Sequence, residues 1–478
     1  MIESFTSSAS NSSIAILSQS QSLLDIINNY GKINNIRFSS ITLLNELPNE
    51  KQLQLLKQLS AQTEIKAIIL FLKSNENIQV LRQQLTQACL QKPVIVLNVG
   101  QCSNIQDIQY INSVFDAFMN NVGAICVKNI SDLLSMARIF QCVDYSKLKF
   151  TGVEQFAIIT NAGGPGIIAT DAFDTFGVNL ASISPETKFK LQQVLPAAAS
   201  VNNPIDVIGD APPKRFNDAL EILLSDSSIS GVLVLATPAD VARPVDLAHV
   251  CVNLHQKYPD KLFVTSFMGG VTMIQPSAIL GSGGIPNFAF PEEAIHAMSA
   301  VVFFAENRLK PVFNQKQLLN EDELNIIKKI IQNEIISTEK TKNDQNKNDQ
   351  NGTVLSQNGA EKIFEVLKTT VKQTDEMIKV PIKLKRNADF GNIILVGDVA
   401  ELGCAYNQQK GVEQLQRTHL FEVLNGVRGQ KGVDVNGIIE VIVKLNEIFT
   451  VNNEIDEIEA EIYDNDGIHA QNVKIAIK

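Results

Sequence analysis

Thr160-Asn161-Ala162-Gly163-Gly164-Pro165-Gly166 stands between an apolar run, Phe156–Thr160, and a helical pattern, Ile167–Phe176. Glycines let such a turn point backbone N–H groups outward, and a helix N-terminus adds partial positive charge, so the stretch suits an anion such as phosphate. The same glycines would serve a tight turn that only packs a helix onto a sheet, and a glycine loop alone does not choose. Gly177 follows the pattern where a helix C-terminal cap belongs. Two other stretches end apolar runs in the same way. Asn203-Pro204-Ile205-Asp206, continuing to Gly209-Asp210, offers an amide and a carboxylate to a crevice, or is simply a turn, the commoner use of these residues. Ala236-Thr237-Pro238 and Met268-Gly269-Gly270 close two more runs, which puts Gly269 and Gly270 at a sheet end where ligands bind in open α/β folds.

Other chemistry is thin. The histidines are His249, His255, His296, His419 and His469, so none precedes residue 249. The first three lie on amphipathic helical patterns, where a solvated or packed ring is the default, and no Ser/His/Asp or Cys/His set assembles. Glu457, Glu459 and Glu461 alternate with Ile458, Ala460 and Ile462, placing three carboxylates on one strand face. Glu459 and Glu461 are the candidate Mg²⁺ ligands; the competing reading is the solvated face of an edge strand. The cysteines, Cys89, Cys102, Cys126, Cys142, Cys251 and Cys404, form no CxxC pair and suit reduced core thiols rather than a zinc site or disulfide framework.

The elements that must position these residues repeat. Four short β-branched runs, Ser13–Leu17, Lys66–Leu72, Pro93–Leu97 and Gly123–Val127, read as buried parallel strands. A second series matches them: Phe156–Thr160, Gly231–Ala236, Leu262–Ser266 and Ile285–Phe290. Helical patterns alternate with them at Leu23–Tyr30, Ile78–Ala88, Ile130–Phe140, Ile167–Phe176, Val245–His255 and Glu292–Asn307. Strand–helix alternation predicts two doubly wound α/β domains, 1–145 and 152–312. Residues 313–352 read as a helix over Asn320–Ser337 and a linker, where KNDQN occurs twice in Lys342–Asn351 and nothing apolar can be buried. Residues 353–478 read as α+β, with helices at Val412–Val427 and Val435–Phe449. Strands at Glu457–Tyr463 and Asn472–Ile477 flank the turn Asp464–Gly467.

The chain has 478 residues, 45% of them hydrophobic and 19% charged, with 41 Lys+Arg against 51 Asp+Glu and a net charge of −10. No basic cluster marks a nucleic-acid surface. No apolar run reaches the roughly 18 residues of a membrane span. Met1–Ser13 is polar and Ser-rich with Glu3, unlike a signal peptide, so a cytoplasmic location is expected.

FAIITNAGGPGIIATDAF, NPIDVIGDA, GVLVLATPA and GGIPNFAFPEEA closely resemble the NDP-forming acyl-CoA synthetases, especially ADP-forming acetate–CoA ligases, relatives of succinyl-CoA synthetase. SIAILSQS, KPVIVL and GAICVKNISDLL resemble that family's succinyl-CoA-ligase domain more faintly. DFGNIILVG, LNGVRGQKGVD and EIEAEIY resemble the carboxy-terminal part of its ATP-grasp domain. The resemblance implies two tandem flavodoxin-like domains followed by an α+β ATP-grasp remnant. It also implies conversion of acyl-CoA, ADP and phosphate to acid, ATP and CoA through a phosphohistidine, with Mg²⁺.

Departures fall on every station of that reaction. The family's Ser-His-Thr-Gly loop is missing where Gly100-Gln101-Cys102 runs to Val114-Phe115-Asp116-Ala117-Phe118, and Lys73 stands where the family has the glutamate that orients the histidine. The SQSG turn reads Ser18-Gln19-Ser20-Gln21, and the family's Asp-Ile-Asn-Pro reads Glu459-Ala460-Glu461-Ile462. The CoA-binding Rossmann domain and most of the first ATP-grasp lobe have no counterpart. The expected function is a catalytically impaired relative, acting as a partner subunit or scaffold in a homo- or hetero-oligomer with a related synthetase chain. The alternatives are an active ligase subunit completed by another chain, and a sensor for phosphate, CoA or acyl-CoA.

Overall fold

The computed structural model describes residues 14–45, 47–72, 78–97, 115–116, 118–238, 241, 243–309, 325–327, 329–331, 353–354, 379–387, 391–396, 403–406, 441–442, 444–445, 448–449, 455–464 and 468–477. The chain divides into two compact units, one of residues 1–73, 84–99 and 123–310, the other of 74–83, 100–122 and 311–478.

The first unit holds two parallel sheets. Strands β1 (Ile14–Ser18), β2 (Phe38–Leu43), β3 (Ala67–Phe71), β4 (Val94–Leu97) and β5 (Ile125–Val127) line up as β2-β1-β3-β4-β5. Strands β6 (Gln155–Thr160), β7 (Asn179–Leu180), β8 (Ile205–Asp206), β9 (Gly231–Ala236), β10 (Leu262–Phe267) and β11 (Asn287–Phe288) line up as β11-β10-β9-β6-β7, with β8 also on β6. Counted from its own first strand, the first sheet has the 2-1-3-4-5 order of flavodoxin-like doubly wound folds, and the second reads 2-1-4-5-6, the same order once the two-residue β8 is set aside. The repeat visible as apolar runs is therefore a repeat of topology. Its runs became strands because helices cover both faces: β1, β3, β4, β9 and β10 are buried at every residue.

Strands β2, β7 and β8 carried no such signal. β2, FSSITL, is half-buried throughout and shows no apolar run, while β7 and β8 are two residues each. The strand expected over Ile285–Phe290 shrinks to Asn287–Phe288, between Pro286, which has no N–H to give a ladder, and Pro291, which opens a helix.

The helices are α1 (Gln21–Ile33), α2 (Asn49–Ala61), α3 (Ile78–Gln91), α4 (Ile130–Cys142), α5 (Gly163–Thr175), α6 (Pro185–Val194), α7 (Pro213–Ser225), α8 (Pro244–Lys257), α9 (Ile274–Ser282) and α10 (Pro291–Leu309). α4 begins where Asn129 Oδ1 accepts from the Asp132 N–H, and it packs on α10 of the second copy. Phe304 of α10 meets Phe140 and Tyr145 edge-on, at centroid distances of 6.1 and 5.0 Å. Each such pair adds about 0.5–1.5 kcal/mol beyond the area it buries. Arg138 of α4 donates to the Asn287 carbonyl (3.0 Å) and to Asn34 Oδ1 (3.1 Å), tying the end of α1 to β11. One apolar core thus runs through both copies, from Ile14 and Ile69 to Val264 and Phe288.

In the second unit, β12 (Thr353–Val354), β13 (Lys379–Asn387), β14 (Gly391–Val396), β15 (Gly403–Tyr406), β16 (Ile455–Asp464) and β17 (Ile468–Ile477) form an antiparallel sheet, ordered β12-β17-β16-β13-β14-β15. β16 is an interior strand, which corrects the edge-strand reading. Glu459 is in register with Lys383 on one side and Lys474 on the other, and Glu461 with Pro381 and Gln471. Residues 325–327 and 329–331 are helical with Ile327 and Ile331 buried, as are 441–442, 444–445 and 448–449 with Ile442, Leu445 and Phe449 buried. Lys73, Gly100 to Val114, Ala117, the KNDQN repeat and Val412–Val427 lie outside the described residues. Among the described residues no helix is long and apolar enough to cross a membrane.

Candidate functional site

The glycine stretch is placed differently from its reading in the sequence. β6 ends at Thr160, whose hydroxyl accepts from the Ala162 N–H (3.0 Å) and donates to the Ala162 carbonyl (2.9 Å). That closes the turn in two residues, so α5 begins at Gly163 and the glycines are its first helical turn rather than a loop before it. The sequence pattern started the helix at Ile167 because glycines and a proline are poor interior helix formers; at a first turn they are tolerated. The N-cap, Ala162, has no side chain able to cap, and the first turn carries no acidic residue. The leading N–H groups of α5 therefore lack helical partners. At the far end Gly177 (φ +63°) and Val178 turn back, and the Val178 N–H donates to the Phe173 carbonyl, as expected of a glycine cap.

Space around the glycines separates the two readings left open by the sequence. A Cβ on Gly166, which is buried, would make ordinary contacts with Thr160 Cγ2 at 3.4 Å and Pro204 Cβ at 3.5 Å, so this glycine faces the packed side of the turn. A Cβ on Gly164 would meet nothing within 4 Å, and one on Gly163 only Asp206 Oδ2 at 3.7 Å. Both residues are exposed. Packing does not require glycine at these two positions, whereas keeping the N–H groups open to a ligand would.

Three neighbouring strand ends close around this turn. Asn161 is buried; its Oδ1 accepts from the Thr237 N–H (2.9 Å) and from the Thr237 hydroxyl (3.1 Å), and its Nδ2 donates to the Thr237 carbonyl (3.3 Å). This bridge spans β6 and β9, the switch point at which doubly wound sheets bind ligands. Pro238 then fills the place a Gly269 side chain would take, its Cγ 2.8 Å from that Cβ position, and Gly269 (φ +156°) and Gly270 (φ +59°) carry the chain away. On the other side the Val207 N–H donates to the Thr160 carbonyl (2.8 Å), and Asp206 Oδ1 accepts from the Ile208 N–H (2.8 Å). Ile208 is held at φ +70°, a conformation that costs a β-branched residue about 1–3 kcal/mol. Arg215 keeps this loop in place by donating to the Val207 carbonyl (2.9 Å) and pairing with Asp210 (2.6 Å).

Thr160, Asn161, Ala162, Gly163, Gly164, Gly166 and Asp206 are thus brought together, and Gly269 and Gly270 join through Pro238. Asn203 has another occupation. Its Oδ1 accepts from the Ile158 N–H (2.9 Å), and its Nδ2 donates to the carbonyls of Phe156 (2.9 Å) and Ala181 (3.0 Å), so its amide is spent within the sheet. Glu459 and Glu461 are on β16 of the second unit. Sequence reasoning gave no role to Ile208 or Arg215; a β-branched residue at positive φ has no sequence signature.

Two opposite potentials meet at the mouth of α5. The open helix N-terminus carries about half a positive charge, and the Asp206 carboxylate beside Gly163 is a full negative one. A phosphate held there fits best when it brings a proton or a cation to Asp206. Among the described residues of this unit no histidine takes part: His249 is exposed on α8, His255 is packed further along it, and His296 of α10 stacks on Phe176 beside Asp132 (3.5 Å). Among the described residues no three His, Cys, Asp or Glu side chains converge as metal ligands would.

Residues 11–140 match the succinyl-CoA ligase-like flavodoxin domain, and residues 156–307 match the ligase-CoA domain. The ADP-forming acetate–CoA ligase I of Archaeoglobus fulgidus is 24% identical over 514 aligned positions, covering 91% of this chain and 73% of that protein. Subunit alpha of the ADP-forming acetate–CoA ligase II of Pyrococcus furiosus is 26% identical, covering 63% and 67%. The dinucleotide-forming acetyl-coenzyme A synthetase 1 of Ca. Korarchaeum cryptofilum, in its apo form, shares the fold with a TM-score of 0.55, at 23% identity over 63% of this chain and 66% of that one. Two domain matches in the order of the two sheets, together with these relatives, place the chain in the NDP-forming acyl-CoA synthetase family.

Proposed function

We propose that the chain is a diverged acyl-CoA synthetase relative that has given up the phosphoryl relay and acts as a partner subunit or scaffold for a related synthetase chain. One observation carries this reading. The segment between β4 and β5, where the family resemblance puts the phosphohistidine, contains no histidine, and the first in the chain is His249. The relay that the family resemblance implies runs through an imidazole, a nucleophile with a pKa near neutrality, and the segment offers the carboxylates of Asp107 and Asp116 and the thiol of Cys102 in its place. Lys73 in place of the orienting glutamate, and Gln21 in place of the first copy's turn glycine, point the same way.

On this reading Thr160 to Gly166 retain an anion-binding turn for phosphate or for the phosphate groups of an acyl-CoA or nucleotide. Asp206, Gly269 and Gly270 line its crevice, and Asn203 supports it from within the sheet. Residues 353–478 are a partial ATP-grasp-like domain, in which Glu459 and Glu461 are the residues offered for a metal. CoA, ADP or ATP and Mg²⁺, the family's reactants, would then be bound in full only together with a partner.

The test is ATP formation by the purified chain from acetyl-CoA, ADP, phosphate and Mg²⁺, with acid-labile phosphate on the chain measured alongside. Neither is expected. Turnover, or phosphate on any residue of this chain, would overturn the loss of the relay. A second reading, an active ligase completed by another chain, is favoured by the Pyrococcus furiosus relative, which is itself a subunit alpha. It requires phosphate on this chain once a related synthetase chain is added.

A further inference from the structure

The bond set of Asn161 exceeds what a turn needs. The Thr160 hydroxyl already closes the β6–α5 turn by itself. Asn161 instead reaches 76 residues along the chain and binds the next strand end through three hydrogen bonds, two accepted and one donated, all at Thr237. Its side chain is 2% exposed, so these bonds do not compete with water. Beyond Thr237, Pro238 occupies the space left by Gly269, and the Met268 N–H donates to the Ala236 carbonyl (2.9 Å).

We infer that Asn161 is a positioning residue, a latch that makes the β6–α5 and β9–α8 turns one rigid edge across the switch point. This rests on the anion-turn reading above only for its consequence: a ligand held by Gly163 and Gly164 is sensed at Thr237 because Asn161 joins the two. The first copy offers a contrast. At the matching position Gln19 has a longer side chain, and the hydrogen bond that ties its backbone to the next strand end runs from its own N–H to the Phe71 carbonyl (3.0 Å).

Amide hydrogen exchange on the full chain, with and without inorganic phosphate, tests the latch. In the wild type, phosphate should slow exchange both in the 160–168 segment and at Thr237. Asn161→Leu should speed basal exchange of the Thr237 amide about tenfold, the loss of one to two buried hydrogen bonds, and abolish the response of Thr237 to phosphate. Asn161→Asp keeps the acceptor for the Thr237 N–H and hydroxyl and loses the donor to the Thr237 carbonyl, so it should recover part of the basal protection there. Unchanged Thr237 exchange in Asn161→Leu, or phosphate protection of the glycine turn that never reaches Thr237 in the wild type, would overturn the latch. Absence of any phosphate effect in the wild type would sink the anion-turn reading, while the basal comparison of the variants would still decide the latch.

Discussion

The β1–α1 and β6–α5 turns are the same piece of backbone carrying different chemistry. Ser18 accepts from the Ser20 N–H (2.9 Å) and donates to the Ser20 carbonyl (3.0 Å), as Thr160 does with Ala162. The Leu44 N–H donates to the Ser18 carbonyl (2.7 Å), and the Val207 N–H to that of Thr160 (2.8 Å). Around this shared frame the side chains differ: Gln21 and Ser22 stand for Gly163 and Gly164, Gln19 for Asn161, Ser20 for Ala162, and Leu43 for Asp206. The fold therefore sets the direction of each helix N-terminus, and the residues hung on it decide whether a ligand is met. The family resemblance implies SQSG at the first turn, where this chain has Ser18-Gln19-Ser20-Gln21.

The largest expected effect is on the support of the second turn. Asn203→Ala removes the partner of the Ile158 N–H and of the Ala181 carbonyl, while the Phe156 carbonyl keeps the Ala181 N–H. Each buried unsatisfied group costs about 1–3 kcal/mol, so urea unfolding should show a loss of about 2 kcal/mol or more. A loss under about 1 kcal/mol would mean that the frame does not depend on Asn203.

That support was not legible in the sequence, and the reason is physical. Asn-Pro-Ile-Asp has the composition of a turn, and nothing local reveals that the Asn203 amide substitutes for a strand between β6 and Ala181. The Asn161–Thr237 bridge is equally hidden, since its partners are 76 residues apart. What could be read were features that repeat over several residues: the buried runs of β1, β3, β4, β6, β9 and β10, and the helices between them. β2 escaped because Ser39, Ser40 and Thr42 interrupt any apolar run, and α2 because charged and amide residues dilute its periodicity; α7 escaped although Phe216, Ala219, Leu220, Leu223 and Leu224 share one buried face. The glycine turn was legible as a turn, but its first helical residues were not, because propensity argues against a helix that starts Gly-Gly-Pro-Gly.

Changing the chemistry of one turn toward the other gives smaller effects. Asp206→Asn keeps the acceptor for Ile208 and removes the charge beside Gly163. Phosphate affinity should rise by about 1 kcal/mol, roughly fivefold, for a charge some ångströms away in partly solvated surroundings; calorimetric titration measures it, and weaker binding would show Asp206 to be a ligand rather than an opponent. Gln21→Gly gives the first turn its glycine back. Stability should fall by about 0.5–1 kcal/mol, with no phosphate-dependent stabilisation gained at that turn. A gain would mean that the glycine alone makes the site and that the neighbouring residues are incidental.

The smallest effect lies outside both turns and serves as their control. His255 is packed with Nδ1 unpartnered, and burial, followed by the charge of Lys147, pushes its pKa below the usual 6.5. The unfolded chain takes up this proton near pH 6.5 and the folded chain only at lower pH, so this contribution is complete above 6.5 and declines below it. His255→Leu should flatten the dependence of the urea midpoint on pH below 6.5 without altering phosphate binding. An unchanged slope would assign the acid sensitivity to other groups.

The central contrast between the turns is tested most directly by urea unfolding with and without inorganic phosphate. The wild type should gain about 2.7 kcal/mol at a hundred times the dissociation constant. Gly163→Val with Gly164→Val should remove that gain while the protein stays folded, since the added side chains meet at most an ordinary contact with Asp206. A gain of the same size in this double variant would contradict the assignment of the anion site to the β6–α5 turn.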